Sequence, residues 1–332
     1  MTIALGSCAF ASASAAASPW VNANVAALTH DSDWTATITG CPNGYLDGVS
    51  TAIASKAGAL KITEGDGTNT GTIVCFTGGD GTSWYEKAYS GASSAGGWML
   101  LAKARGQRII QCNWNASSWA AGSVGPRALA CRGATLLDAI YNDAAMHTIG
   151  RPFIAVGHSA GSSLICYALT AYGLKDIIDL AVLTSGPPHS RIDYGTFGAG
   201  IAAWDTAGTA LCTTGTVIQY ASGEWPIIEV AYSSRTYIRD LSCRGGIDNP
   251  GERDSILRVD SDLTYPETDM RAVYGDADDT AACPLGRYFV TQVSSTVTEN
   301  ITTGGVDHNG VPGSASGGGY IDAALAAATY NH

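Results

Sequence analysis

The sequence predicts an α/β architecture: a mostly parallel sheet with helices on both faces. Three observations lead there. Short apolar runs at 72–76, 153–156 and 177–183 lack the in–out alternation of a strand with one wet face, so each is expected to be covered on both sides. Stretches with apolar residues at helical spacing stand between those runs. And the glycine-flanked serine Gly157-His158-Ser159-Ala160-Gly161 joins an apolar run directly to a helical one.

Composition bounds the rest. With 332 residues and 45% of them apolar, the chain is long enough to bury a large core. Eighteen Lys and Arg stand against 29 Asp and Glu, a net charge of −11, so there is no positive field to collect phosphates. That argues against a nucleic-acid or anionic-membrane partner. No apolar run is long enough for a transmembrane span. Residues 1–19 carry no charge and read as a signal-like or disordered leader. Ala11-Ser12-Ala13 suits a cleavage site, and Leu5-Gly6-Ser7-Cys8 resembles the lipobox of bacterial lipoproteins. The expectation is a secreted or cell-surface protein, anchored through Cys8 in the second case. Setting Cys8 aside leaves eight of nine cysteines and no C-x-x-C pair, so disulfides are expected rather than a zinc site, with Cys212–Cys243 as the first pairing. Cys166, inside a helix, reads as a small apolar filler.

Residues 20–332 read as one domain. Thr72-Ile73-Val74-Cys75-Phe76 is a buried strand ending in the turn Thr77-Gly78-Gly79-Asp80-Gly81, and 108–114 is a second strand. Pro126 opens a helix carrying Leu129, Gly133, Leu136, Leu137, Ile140, Tyr141 and Ala144 on one face. The strand 153–156 leads to a helix over 160–172, closed by Gly173. Strands follow at 177–183 and 271–274, and a terminal helix at 319–330. Between them, about 186–269 breaks the rhythm and is expected to be a lid-like insertion over the carboxyl edge of the sheet.

The chemistry centres on Ser159. A strand-to-helix turn this tight forces strained dihedrals on its serine and admits only small residues two positions to either side, hence Gly157 and Gly161. It lifts the hydroxyl above the sheet edge and aims the helix N-terminus at the reacting centre. A serine nucleophile needs a base. Of six histidines, His308 is the candidate, in the loop Gly304-Gly305-Val306-Asp307-His308 before the last helix. His158 lies inside the turn, His30 precedes the sheet, His147 ends a helix and His332 is terminal. His189, after the fourth strand, is placed to touch substrate. An orienting acid is expected after strand 271–274, where Asp276, Asp278 and Asp279 compete. The first of these tends to cap local N–H groups, whereas a residue two further on has turned back over the sheet edge.

From about residue 72 onward the chain resembles the α/β-hydrolase superfamily of serine esterases and lipases, through its G-x-S-x-G turn, its G-x-x-D loop and its late histidine. The resemblance implies an α/β-hydrolase fold and a Ser159–His308–Asp278 triad, since the acid often stands three residues after the loop glycine. It also implies an oxyanion hole from the backbone N–H of Ala160 and of Gly79 or Asp80. Trp84 and Tyr85, which follow that loop, either line the acyl side or simply pack, as two aromatics after a turn more often do. The implied activity is hydrolysis of a carboxylic ester, of lipid, acylated polysaccharide or polyester, with no metal or organic cofactor. A peptidase or amidase on the same triad, or a non-catalytic surface protein of the same fold, are the alternatives.

Overall fold

The structure is a computed structural model that describes residues 10–13, 32–38, 56–94, 96–114, 117–197, 220, 222–232, 250–258, 260–302 and 304–332. Its centre is a nine-stranded sheet of β1 (Phe10–Ala13), β2 (Ser32–Ile38), β3 (Lys56–Thr63), β4 (Gly71–Phe76), β5 (Gln107–Asn113), β6 (Phe153–His158), β7 (Leu180–Thr184), β8 (Asp269–Gly275) and β9 (Val297–Thr302). The spatial order is β1-β2-β3-β5-β4-β6-β7-β8-β9. The pairs from β1 to β3, and β3 with β5, are antiparallel. Every pair from β5 to β9 is parallel. The main helices are α1 (Trp98–Ala104), α2 (Cys131–Asn142), α3 (Ala160–Tyr172), α4 (Ala282–Gln292) and α5 (Ala315–Ala326).

The unbroken apolar runs are explained by two cores. Val74, Phe76, Ala155, Leu183 and Ala272 face one core, which holds Leu136 of α2, Leu164 of α3 and Phe289 of α4. Ile73, Cys75, Ile154, Val156 and Val182 face the other, with Trp98 of α1 and Ile321 of α5. Helices α2 and α3 approach closely at Gly133, where an added Cβ would stand 2.1 Å from Leu164 Cδ2.

The sheet extends well before residue 72, so His30 does not precede it. It follows β1, which itself lies inside the segment expected to be a leader. Strands β2, β3 and β9 carry too many polar residues to show as buried runs. The terminal helix begins at Ala315, four residues earlier than its spacing suggests, with the Ser314 hydroxyl accepting the Gly317 N–H at 3.0 Å as an N-cap. Of the expected insertion, residues 198–219 and 233–249, with Cys212 and Cys243, lie outside the described residues, as does Cys8. Cys75, Cys112 and Cys166 are free and buried, so the disulfide expectation does not extend to them. Cys131 and Cys283 are disulfide-bonded. No helix among the described residues is long and apolar enough to cross a membrane.

One buried polar cluster ties the turn after β4 to the sheet. Lys61 on β3 and Gln111 on β5 are cross-strand partners. Lys61 Nζ lies 2.5 Å from Glu86 Oε1, with both side chains fully buried. Gln111 Nε2 donates to Glu86 Oε2 at 3.0 Å, and the Glu86 N–H donates back to Gln111 Oε1 at 3.0 Å. The Lys61 ammonium also lies 4.4 Å above the Trp84 ring. Glu86→Ala is expected to cost about 3–5 kcal/mol, because it removes the carboxylate facing a buried ammonium. The double change Lys61→Met with Glu86→Leu should recover most of that loss in urea unfolding. A loss under about 1 kcal/mol for the single change would show that the pair does not act as a buried ion pair.

Candidate active site

Strand β6 runs into Ser159, which adopts φ 50° and ψ −117°, and α3 starts at the next residue. That conformation is strained for a residue with a Cβ, and the surroundings hold it there. The Ser159 N–H donates to Thr184 O at 2.8 Å, and Ser162 Oγ donates to Gly157 O at 2.9 Å. An added Cβ on Gly157 would meet Ser162 N at 2.6 Å, and one on Gly161 would meet Phe76 O at 2.4 Å. Both glycines are therefore required by backbone proximity, as the tight-turn reading expects. Ser159 is 5% exposed.

Past β9, His308 Nδ1–H donates to Asp278 Oδ2 at 2.9 Å. Asp278 is fully buried. Thr280, which the sequence reading passed over, bridges the pair: its Oγ1 lies 2.7 Å from Asp278 Oδ1 and 3.0 Å from His308 Nδ1. The other two carboxylates behave differently. Asp276 accepts the N–H groups of Gly304, Gly305 and Val306 at 2.9, 3.1 and 2.7 Å, which holds the loop carrying His308. Those bonds, with Gly305 and Val306 foremost, hold its carboxyl below the usual range. Asp279 is exposed. A threonine two residues after the acid was the only sequence signal for Thr280, and a weak one.

The residue before Ser159 lies beside His308. The His158 and His308 rings are 4.9 Å apart, centroid to centroid. Ser185 Oγ donates to His308 O at 2.9 Å. Thr184 Oγ1 donates to Gly157 O at 3.0 Å, so it accepts from His158 Nδ1–H at 2.9 Å. Burial first, and His308 second, push His158 well below its ordinary pKa, so it stays neutral beside the other ring.

The turn after β4 closes over the serine. An added Cβ on Gly78 would stand 2.9 Å from Ser159 Cβ. The Gly78 N–H is taken by Tyr89 Oη at 2.8 Å, and the Tyr89 ring lies 4.5 Å from that of His158. Gly79 and Asp80 donate to no backbone or side-chain acceptor among the described residues. Ala160 opens α3, so its N–H has no acceptor within the helix. The Asp80 carboxylate turns back on its own loop, accepting from Thr82 N at 3.0 Å and Thr82 Oγ1 at 2.7 Å. Tyr85 does not line this space. It is buried in the α1–α5 core against Tyr89 and Trp98, because the short helix Tyr85–Ala88 turns it inward.

Neither His147 nor His189 contacts the His308–Asp278 pair. His147 lies beyond the end of α2, not on its last turn, and stacks on Tyr141 at 4.9 Å. His189 is fully buried, and burial pushes it down to about 3. Among the described residues no group of three or more His, Cys, Asp or Glu is placed to hold a metal ion.

No family model matches the chain, and no curated protein does. Solved structures do. Esterase Est22 superposes with TM-score 0.51 at 12% identity, covering 91% of this chain and 80% of that one. A bacterial heroin esterase gives TM-score 0.51 at 13% identity over 91% and 86%. The Pyrococcus horikoshii acylaminoacyl peptidase gives TM-score 0.50 at 12% identity, and the match covers 83% of this chain and only 40% of that longer one. The fold is that of the α/β-hydrolase superfamily.

Two predictions follow from this geometry. Asp278→Asn should lower turnover by about 10⁴, because Asn favours the wrong imidazole tautomer. Asp279→Asn should change it little, and Asp276→Asn should act between the two by loosening residues 304–306. Equal effects at Asp278 and Asp279 would contradict the hydrogen-bond pattern. The second concerns acid. His189 and His158 are held neutral in the fold, whereas both protonate near pH 6.5 once unfolded. The unfolded chain therefore binds more protons below about pH 6.5, and stability falls from there toward pH 3. Each contributes up to about 1.4 kcal/mol per pH unit. Thermal melts from pH 7 to 4.5 should show a falling Tm, and a flat profile would exclude buried neutral histidines.

Proposed function

We propose that the chain is a serine hydrolase acting on carboxylic esters. Ser159 Oγ attacks the ester carbonyl while His308 takes its proton, and Asp278 holds the imidazole tautomer and stabilises the imidazolium. The backbone N–H of Ala160 and that of Gly79 or Asp80 hold the developing oxyanion. The alcohol leaves with the proton from His308. Water, activated by the same ring, then releases the acid from Ser159. The observation that carries the reading is the 2.9 Å hydrogen bond of buried Asp278 to His308 on the sheet edge that also bears the strained Ser159. The likeness to esterases of the same fold is in keeping with it.

Ser159→Ala should lower ester turnover by roughly 10⁴–10⁶ with the fold intact. A fluorophosphonate probe should label wild type at Ser159 and leave the variant unlabelled. Retention of more than a tenth of the p-nitrophenyl ester activity would remove Ser159 from the mechanism. Faster cleavage of peptide anilides than of esters would move the activity to the peptidase class.

A further inference from the structure

Two buried N–H groups near the start of α3 have no acceptor among the described residues. His189 Nδ1 lies 2.7 Å from Ser163 Oγ, which also accepts the His189 backbone N–H at 3.2 Å. The Ser163 hydroxyl proton is best satisfied on Nδ1, which leaves the ring proton on Nε2. That Nε2 is buried and unpartnered, and so is Trp119 Nε1. The residues are 0% and 1% exposed, and their rings are 5.9 Å apart. Buried donors without acceptors are uncommon and carry a desolvation penalty unless something occupies them.

Their position points to the occupant. Ser163 lies in the first turn of α3, and its N–H donates to Ser159 O at 3.2 Å. On the other side, an added Cβ on Gly81, in the turn that closes over Ser159, would stand 3.6 Å from Trp119 Cδ1, the atom bonded to Nε1. The two donors thus lie between the turn after β4 and the first turn of α3, the two segments that meet at Ser159. Both donors are neutral, and His189 is held so by burial, so neither balances a carboxylate.

We propose that His189 Nε2 and Trp119 Nε1 form a subsite for a second, uncharged oxygen of the acyl group, so that the substrates are esters of hydroxy- or keto-acids, including oligoesters built from them. The proposal rests on the serine-hydrolase reading. It assigns His189 a part in choosing the substrate and none in proton transfer.

The test compares kcat/KM for p-nitrophenyl 3-hydroxybutyrate and p-nitrophenyl butyrate, each divided by its uncatalysed alkaline rate. Wild type should favour the hydroxylated ester by about tenfold or more, since a site built to bond an oxygen rejects the analogue lacking it. His189→Phe and Trp119→Phe should each lower that ratio about tenfold. A wild-type ratio near one, read without any substitution, means that the donors hold a buried water and overturns the subsite. So does an unchanged ratio in both folded variants. If wild type hydrolyses neither ester and takes no fluorophosphonate, the serine-hydrolase reading falls, and the subsite falls with it.

Discussion

The structure depends on one strained residue. Ser159 keeps a positive φ only because the chain is gripped on both sides: its N–H by Thr184 O on β7, and the turn itself by Ser162 Oγ on Gly157 O. The first grip continues the β6–β7 ladder, and the second needs α3 packed directly against the ends of β4 and β6. That packing needs glycine at 157 and 161, since either Cβ would strike backbone. A strained side chain that cannot relax is one whose direction is set before substrate arrives.

The loops around that residue are each held by a different polar device. The turn after β4 is tied down by the Lys61–Glu86–Gln111 cluster and by Tyr89 on the Gly78 N–H. Asp278 is braced by Thr280, and the loop bearing His308 is braced by Asp276 and by Ser185. None of these braces is a reacting group in the mechanism proposed above. Their shared effect is to fix donors and acceptors before the reaction, which is where electrostatic catalysis gains most. The cost is borne in burial, as a charged pair beneath Trp84 and as histidines that the fold keeps neutral.

Much of this was legible in the chain. The helix over 160–172 and the strand entering it coincide with α3 and β6, because a fully buried strand and a glycine-flanked serine leave few alternatives. The late histidine His308 and the three aspartates were legible as a group. The antiparallel start of the sheet and β9 were not: strands at or near an open edge keep polar residues such as Asp33 and Glu299, and β3 carries the buried Lys61 of the ion pair, so none of them shows a continuous apolar signal.

What the sequence by itself determined was local: which runs are buried on both faces, where the chain must turn too tightly for a Cβ, and which residue types stand in the late loops. Only the tertiary structure decided among equals. Asp276 and Asp278 are the same residue two positions apart, yet one binds three backbone N–H groups and the other a histidine ring. His158 and His308 are likewise chemically identical, and one is sealed against Thr184 while the other faces Asp278. Hydrogen bonds of this kind join residues 26 to 30 positions apart. Which of two identical side chains makes them is set by how the strands bring their loops together, and local pattern carries no record of that.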